Sequence, residues 1–345
     1  MSELRQNPMT KEWVIMAADR AKRPNEFGHV HKKHERKVHD ELCPFCPGNE
    51  HMTPPEVVRI PATEGEGWKL RIVPNKFPAL SPECFPAWTI QRTLRSVKGS
   101  GAHEVIIESP DHSLCGALLP FENLITVLRT YRERFKQLSE NPHIAHVTIF
   151  KNHGAGAGTS LEHPHSQVIA SPVVSSPLRA RFYEAMRHWD EFGECVFCQT
   201  LRDELDEDKR IVFNGHEFVA FEPFAARSPF LTHIFPRRHM ASFGDVRDSE
   251  LEELAGVLHN TLWKMHSGLN DPDFNYTIMT APHHESGTRH YHWYLEIVPR
   301  LSEVAGFELG SGTFINTVLP EDAAEFLRKV KIAQTHFANE FAGVV

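Results

Sequence analysis

The chain has 345 residues, 41% of them hydrophobic and 24% charged, which suits a globular protein with one extensive core or two medium ones. A net charge of −8 argues against broad non-specific binding to nucleic acid. There is no membrane-spanning apolar run and no charged-then-apolar leader, so the expectation is a cytoplasmic protein without a membrane partner.

The start, Asn7-Pro-Met-Thr-Lys-Glu-Trp-Val-Ile, reads as a turn into a short strand, followed by Arg20-Ala-Lys-Arg-Pro24 and a polar, His- and Lys-rich segment to about Asp40. Cys43-Pro-Phe-Cys-Pro-Gly-Asn49 is a compact knuckle whose prolines and glycine suit a turn that points both thiols one way. A strand over 70–73 leads to Pro74-Asn-Lys-Phe-Pro78, and another over 102–108 ends at Ser109-Pro-Asp-His112. Residues 121–139 form an amphipathic helix with Leu124, Val127, Leu128, Tyr131, Phe135 and Leu138 on one face, a core stripe.

Strands over 143–150 and 167–170 flank Lys151-Asn-His-Gly-Ala-Gly-Ala-Gly-Thr-Ser-Leu-Glu-His-Pro-His-Ser166. Alternating Gly154, Gly156 and Gly158 permit positive φ and could gather backbone N–H groups around phosphate oxygens, with Thr159 and Ser160 beside them. His163 and His165 flank a stiff proline, and Gln167 follows two residues on. A phosphate cradle beside a constrained histidine pair suggests histidine acting on phosphorus.

The second half repeats this order. Cys195-Val-Phe-Cys198 precedes strands over 210–213 and 217–221, a segment over 231–236, Arg238-His239, a helix over 249–269 and a strand over 274–280. His290-Tyr-His-Trp-Tyr-Leu-Glu-Ile-Val-Pro299 closes the series. His112 and His239, His163 and His290, His165 and His292, and Pro172 and Pro299 are all 127 residues apart. Two copies of one α+β unit explain this, divided between Ser171 and Glu194 into units over 1–175 and 190–345. The second copy lacks the Gly-Ala loop and has Tyr294 where the first has Gln167, so the first is the catalytic one.

Four of the six cysteines fall in the pairs Cys43/Cys46 and Cys195/Cys198, a spacing that on its own reads as metal binding or as a redox dithiol. Cys84 and Cys115 read as ordinary buried thiols. Cys43, Cys46, His112 and His163 have the types and order of a Cys2His2 zinc set. Cys195, Cys198 and His239 supply three ligands of a second set, for which the repeat nominates His290 as the fourth.

The His-Pro-His-Ser-Gln run after the Gly-Ala loop resembles the galactose-1-phosphate uridylyltransferase family, a branch of the histidine-triad superfamily. The resemblance extends from Asn7 to about Ala323. It implies an α+β fold of two tandem histidine-triad-like units, mainly antiparallel sheets with packed helices. It implies an enzyme of the nucleotidyltransferase class working by double displacement, with His165 as nucleophile, Gln167 contacting the phosphoryl group and Ser160 assisting. Substrate contacts carried over are Asn152, the Gly154–Thr159 loop, Asn75 and Phe77 near the nucleoside, Arg20 and Arg23 at the phosphates, and Phe307 and Glu308 at the sugar. It implies two structural Zn2+ ions, and its Thr-His-Trp-x-Leu-x-Ile-Val-Pro ending favours His292 over His290 as the last ligand.

The implied partners are a nucleotide sugar, a sugar phosphate or inorganic phosphate, and a second subunit in a homodimer. Phe307 and Phe314 stand where the galactose enzymes have Tyr and Gln, which resembles the ADP-glucose phosphorylase-like branch. A nucleotide hydrolase and a non-catalytic nucleotide-binding module are the competing readings. The uncharged Gln167 favours transfer over hydrolysis.

Overall fold

The computed structural model describes residues 2–20 and 36–331, without the side chain of Arg20. In chain order the elements are β1 (Glu3–Gln6), β2 (Trp13–Met16), β3 (Val58–Pro61), β4 (Trp68–Pro74), β5 (Trp88–Gln91), β6 (Leu94–Val97), β7 (Ala102–Ile107), α1 (Phe121–Ser139), β8 (His146–His153) and β9 (His165–Ser171). They continue with α2 (Ser176–Phe192), α3 (Val196–Glu207), β10 (Ile211–Asn214), β11 (Phe218–Phe221), β12 (Thr232–Pro236), α4 (Asp248–Gly268), β13 (Phe274–Met279), β14 (Tyr294–Pro299), α5 (Gly306–Ser311), β15 (Phe314–Asn316) and α6 (Pro320–Lys329).

Ten strands form one antiparallel sheet in the order β10-β11-β12-β14-β13-β8-β9-β7-β4-β3. The order reads as a mirror about its centre, with five strands from each half. The halves join where β13 pairs with β8, Phe274 opposite His153 and Thr277 opposite Phe150. The packed helices α1 and α4 start at Phe121 and Asp248, which keeps the 127-residue offset. The duplicated α+β unit is therefore present, as two units sharing one sheet.

Strand alternation decides what each face meets. On one face Leu70, Ile72, Ile106, Val168, Ile278 and Leu295 pack with Leu124, Val127, Leu128 and Phe135 of α1 and with Leu251, Leu254, Leu258, Leu262 and Met265 of α4. Burial of each of these large side chains contributes roughly 1.5–3 kcal/mol. On the other face Val73, Val105 and Ile107 pack against Cys43, Phe45 and Cys46. Val219, Phe221 and Phe235 likewise pack with Cys195 and Phe197. The long helices cover one face and the cysteine pairs the other.

Three details differ from the sequence reading. The second cysteine pair opens directly into α3, because Val196, Phe197, Thr200 and Leu201 recur at helical spacing and bury one stripe. The first strands pair across the chain, β2 running parallel to β15, and Arg5 donates to Glu321 (2.9 Å) and to the Phe224 carbonyl (3.1 Å). Cys84 is exposed, beside the surface hairpin of β5 and β6, whereas Cys115 is buried.

Glu222, just past β11, is fully buried with only the Thr232 hydroxyl donating to it (3.0 Å), and burial raises its pKa well above the usual 4.5. A carboxyl kept protonated in the fold contributes full stability below about pH 4.5 and loses it as pH climbs towards the folded-state value. Glu222→Gln should therefore gain on the parent by about 1.4 kcal/mol per pH unit across that window. Urea unfolding from pH 5.5 to 8.5 checks this; a difference that stays flat with pH refutes it.

Candidate active site and metal centres

The sheet opens at the end of β8, where the chain leaves at His153 and re-enters as β9 at His165. Gly154 takes φ 83°, and a Cβ there would lie 1.7 Å from Asp273 Oδ1, so the approach of β13's leading turn requires glycine. Gly158 closes the loop at φ 85°.

His165 pairs opposite Ile107, buried, with Phe45 edge-on at 5.4 Å between ring centroids. Its Nδ1 lies 2.8 Å from the His163 carbonyl. A carbonyl only accepts, so Nδ1 carries the proton and the Nε2 lone pair is left for attack. Burial lowers the His165 pKa, which favours the neutral, nucleophilic ring.

Gln167 lies two residues on, on the same face of β9. The Ala79 N–H donates to His103 Nδ1 (3.1 Å), so His103 Nε2 bears its proton and donates to Gln167 Oε1 (2.8 Å). With its oxygen engaged, the Gln167 NH2 is left as the donating end of the amide. Asn75 stands beside it (3.4 Å to Oε1), and Phe77 is 83% exposed next to Asn75.

A cleft of about 1680 Å3 runs past His165. Asn152, Gly154, Gly156, Thr159 and Ser160 of the first half line it together with Asp273 and Arg300 of the second. Asn275 donates to Asn152 Oδ1 (2.7 Å) and to the Ala157 carbonyl (2.9 Å), and is itself held by Arg300 (2.5 Å). The Asn152 NH2 is thereby left as a donor for the cleft.

The loop differs from the expected open nest. Gly156 N–H donates to Asp273 Oδ2 (2.5 Å), while the N–H groups of Ala157, Gly158 and Thr159 bond to carbonyls within the loop. A carboxylate from the other half occupies a position read as a phosphate donor, because a negative oxygen is what such an N–H selects. The cleft-facing donors at this end are then Asn152 and the exposed Ser160 hydroxyl.

Phe307, half exposed, and Glu308 lie on α5. The Glu308 carboxylate accepts from the Ala305 N–H (3.1 Å) and borders a cavity of about 160 Å3 with Phe314. Arg300 and Val304 wall both spaces, so this cavity adjoins the main cleft. Arg23 and the side chain of Arg20 lie outside the described residues.

Sequence reading missed the groups beneath His165. Lys151 is 2% exposed; its Nζ donates to Glu108 (2.5 Å), itself 1% exposed, and to the His165 carbonyl (3.0 Å). Tyr131 donates to the other Glu108 oxygen (3.0 Å) and pairs with Tyr276 (2.7 Å). Lys151→Met should cost about 3–5 kcal/mol by stranding the Glu108 charge. Adding Glu108→Gln should recover most of that stability while leaving kcat low and KM near its parent value, as expected of a group that positions His165. Recovery of kcat along with stability would reduce Lys151 to a structural role.

The two Cys/His sets converge. For the first, Cys46 Sγ lies 3.4 Å from His112 Nδ1 and 3.6 Å from His163 Nδ1, Cys43 Sγ 3.8 Å from His163 Nδ1, and the two Nδ1 atoms are 3.3 Å apart. Tetrahedral zinc bonds of about 2.0–2.3 Å require donor separations of about 3.3–3.8 Å, so the set fits. His163 Nε2–H donates to the Ser109 carbonyl (2.7 Å), which leaves Nδ1 for the metal. In the second set Cys198 Sγ lies 3.3 Å from both His239 Nδ1 and His292 Nδ1, with Cys195 alongside. His290 instead turns to the Thr288 hydroxyl (2.6 Å), so the gathered histidine is His292. Each set has four protein donors and no open position, a structural arrangement.

The family described as "Galactose-1-phosphate uridyl transferase, N-terminal domain" matches residues 1–175, and "Domain of unknown function (DUF4921)" matches residues 101–337. The chain is 37% identical over 334 residues to the ADP-glucose phosphorylase of Arabidopsis thaliana, covering 96% of this chain and 93% of that one. It is 32% identical over 343 residues to the galactose-1-phosphate uridylyltransferase of Thermotoga maritima, covering 96% and 99%. The crystal structure of the Arabidopsis ADP-glucose phosphorylase with bound ADP-glucose superposes with a TM-score of 0.81 at 35% identity, over 96% of this chain and all of that one. Full-length similarity together with the histidine, glutamine and Cys2His2 geometry makes this chain a member of the galactose-1-phosphate uridylyltransferase family.

Proposed function

We propose that this enzyme moves a nucleoside monophosphate from a nucleotide sugar to a phosphate acceptor through a covalent nucleotidyl-histidine on His165. The observation that carries the reading is the Nδ1–H bond to the His163 carbonyl, which frees Nε2. Nε2 attacks the α-phosphorus; the bond to the bridging oxygen breaks, and its electron pair leaves on the sugar 1-phosphate. An oxygen of the incoming phosphate then attacks that phosphorus, the P–N bond breaks, and the pair returns to Nε2. Gln167, Asn152 and Ser160 supply hydrogen bonds to the phosphate oxygens.

Zn2+ is the ion proposed for both Cys2His2 sets. For the donor and acceptor we favour an ADP-sugar and inorganic phosphate, on the 37% identity to an ADP-glucose phosphorylase and on Phe307 and Phe314 standing where the galactose enzymes have Tyr and Gln. A UDP-sugar with a hexose 1-phosphate is the alternative, supported by the Thermotoga relative. Intact-mass analysis after incubation with ADP-glucose or UDP-glucose, quenched at alkaline pH, decides: an adenylyl adduct alone supports the first, a uridylyl adduct the second. No adduct with either in zinc-replete protein removes the covalent mechanism for these donors and leaves hydrolysis or simple binding.

We also propose a homodimer. Trp88, Ile90 and Leu94 of the β5–β6 hairpin are exposed in one copy, more apolar surface than a lone hairpin ordinarily carries. Light scattering should give twice the chain mass, falling towards one with Ile90→Asp; a monomeric parent rejects the assembly. Among the described residues no helix is long and apolar enough to cross a membrane, and the six free thiols suit a reducing cytoplasm, which cell fractionation would test.

A further inference from the structure

On the wall of the same cleft as His165, a third group of metal-type donors stands outside the chemistry described so far. Cys115, on the segment between β7 and α1, His266, in the last turn of α4, and Asp271, in the turn before β13, each offer one donor atom within 4.8 Å of the others. All three line the cleft.

Their geometry is not that of a nucleophile relay. In a relay the imidazole lies between its partners, the nucleophile on one ring nitrogen and the carboxylate on the other. Here Cys115 Sγ (3.9 Å) and Asp271 Oδ1 (2.9 Å) face the same nitrogen, His266 Nδ1. His153 Nε2 comes within 3.1 Å of that same carboxylate oxygen. Sulfur, nitrogen and oxygen donors from three places in the chain thus converge, with His153 touching the carboxylate from a fourth. The turn that delivers the carboxylate is strained, with Asn270 at φ 61° and Asp271 at φ 55°. Consecutive left-handed residues without glycine persist where the surrounding structure demands a particular placement.

We propose that Cys115, His266 and Asp271, with His153 beside them, form a third metal site that takes a divalent transition metal of the zinc class. One thiolate, imidazole nitrogen and one carboxylate oxygen suit zinc or cobalt, whereas magnesium and calcium ask for oxygen throughout. Bonds of about 2.0–2.3 Å call for donor separations of about 3.3–3.6 Å. The present 2.9 and 3.9 Å straddle that range, so a shift of a few tenths of an ångström suffices. Arg36 holds the other Asp271 oxygen at 3.4 Å, so a metal would take Oδ1 as a single ligand in place of its present contacts with His266 and His153.

Unlike the two Cys2His2 sets, this site has all three of its donor residues on the cleft wall. It joins the end of α4 to His153, the residue just before Gly154, and lies two residues from Asp273, which holds Gly156. A metal here would fasten the glycine loop to the second half of the chain.

The test uses full-length protein holding two equivalents of zinc, titrated with Co2+ at neutral pH. A third equivalent should bind with a thiolate-to-cobalt absorption band, while metal analysis of the same sample still finds both zinc equivalents. His266→Ala should lose the third equivalent and keep the two zinc, which also shows that the variant folds. Cys115→Ser should lose the band and bind at least about tenfold more weakly. A parent that binds no third equivalent overturns the proposal, as does a third equivalent that survives in His266→Ala with its spectrum unchanged.

Discussion

His165→Ala is expected to abolish the nucleotidyl adduct and to lower turnover by about 10⁵-fold or more, the scale on which removing a nucleophile acts. Nucleotide-sugar affinity should change only a few-fold, because Asn152, Ser160 and the glycine loop stay in place around the cleft. Neither Gln167 nor Lys151 can substitute for the ring. Gln167 has no nucleophilic lone pair on nitrogen, and its oxygen is held by His103. Lys151 is tied into the Glu108 pair and to the His165 carbonyl, so it holds the strand in place and its amine does not reach towards substrate as a free base. Intact-mass analysis reads the adduct, calorimetry the binding, and phosphorolysis the turnover. A variant that keeps more than about 1% of parental turnover would show that the acceptor attacks phosphorus directly, and double displacement would be wrong.

What sequence disclosed about this site followed from spacing. The 127-residue offset announced two copies of one unit, and α1 and α4 keep that offset. His163 precedes β9 and His165 opens it, two residues apart; that one would face a metal and the other phosphorus was an expectation drawn from the family resemblance. The junction of the units was not. β8 and β13 are both buried strands with an unused edge, and nothing local in Phe150 or Thr277 says that these edges meet. Lys151 and Glu108 were invisible for the same reason: 43 residues separate them, and each alone reads as an ordinary charge near a strand end. His103 was not singled out in the sequence, since its contact with Gln167 spans 64 residues. The glycine loop misled in one respect, since its alternation was read as an open nest while Asp273, far away in sequence, takes the Gly156 N–H. The choice of His292 over His290 came from the length of a local match; the repeat alone pointed to the wrong imidazole.

Cys46→Ala should do the largest damage of any single change away from the nucleophile. Cys43, Cys46, His112 and His163 are all buried, with donor atoms 3.3–3.8 Å apart. Without a cation, burial pushes the Cys43 thiol up to about 11 and the His163 ring down to about 4, so neutral groups crowd their lone pairs together in a site with little water. Structural zinc sets contribute on the order of 10 kcal/mol to folding in small domains, and losing half of that would lower Tm by roughly 10 °C in a chain of this size. The loss should also reach the chemistry. His163 supplies the carbonyl that orients His165; its own ring is held by Ser109 on one side and would be held by the proposed metal on the other. The control is Cys198→Ala in the second set, which should lower Tm as well but leave adduct formation on His165 largely intact at temperatures below its midpoint. Measured at one such temperature, an adduct in Cys198→Ala and none in Cys46→Ala would separate a positioning role for the first set from general stabilisation. Equal loss in both variants would mean that the metals act on the fold alone.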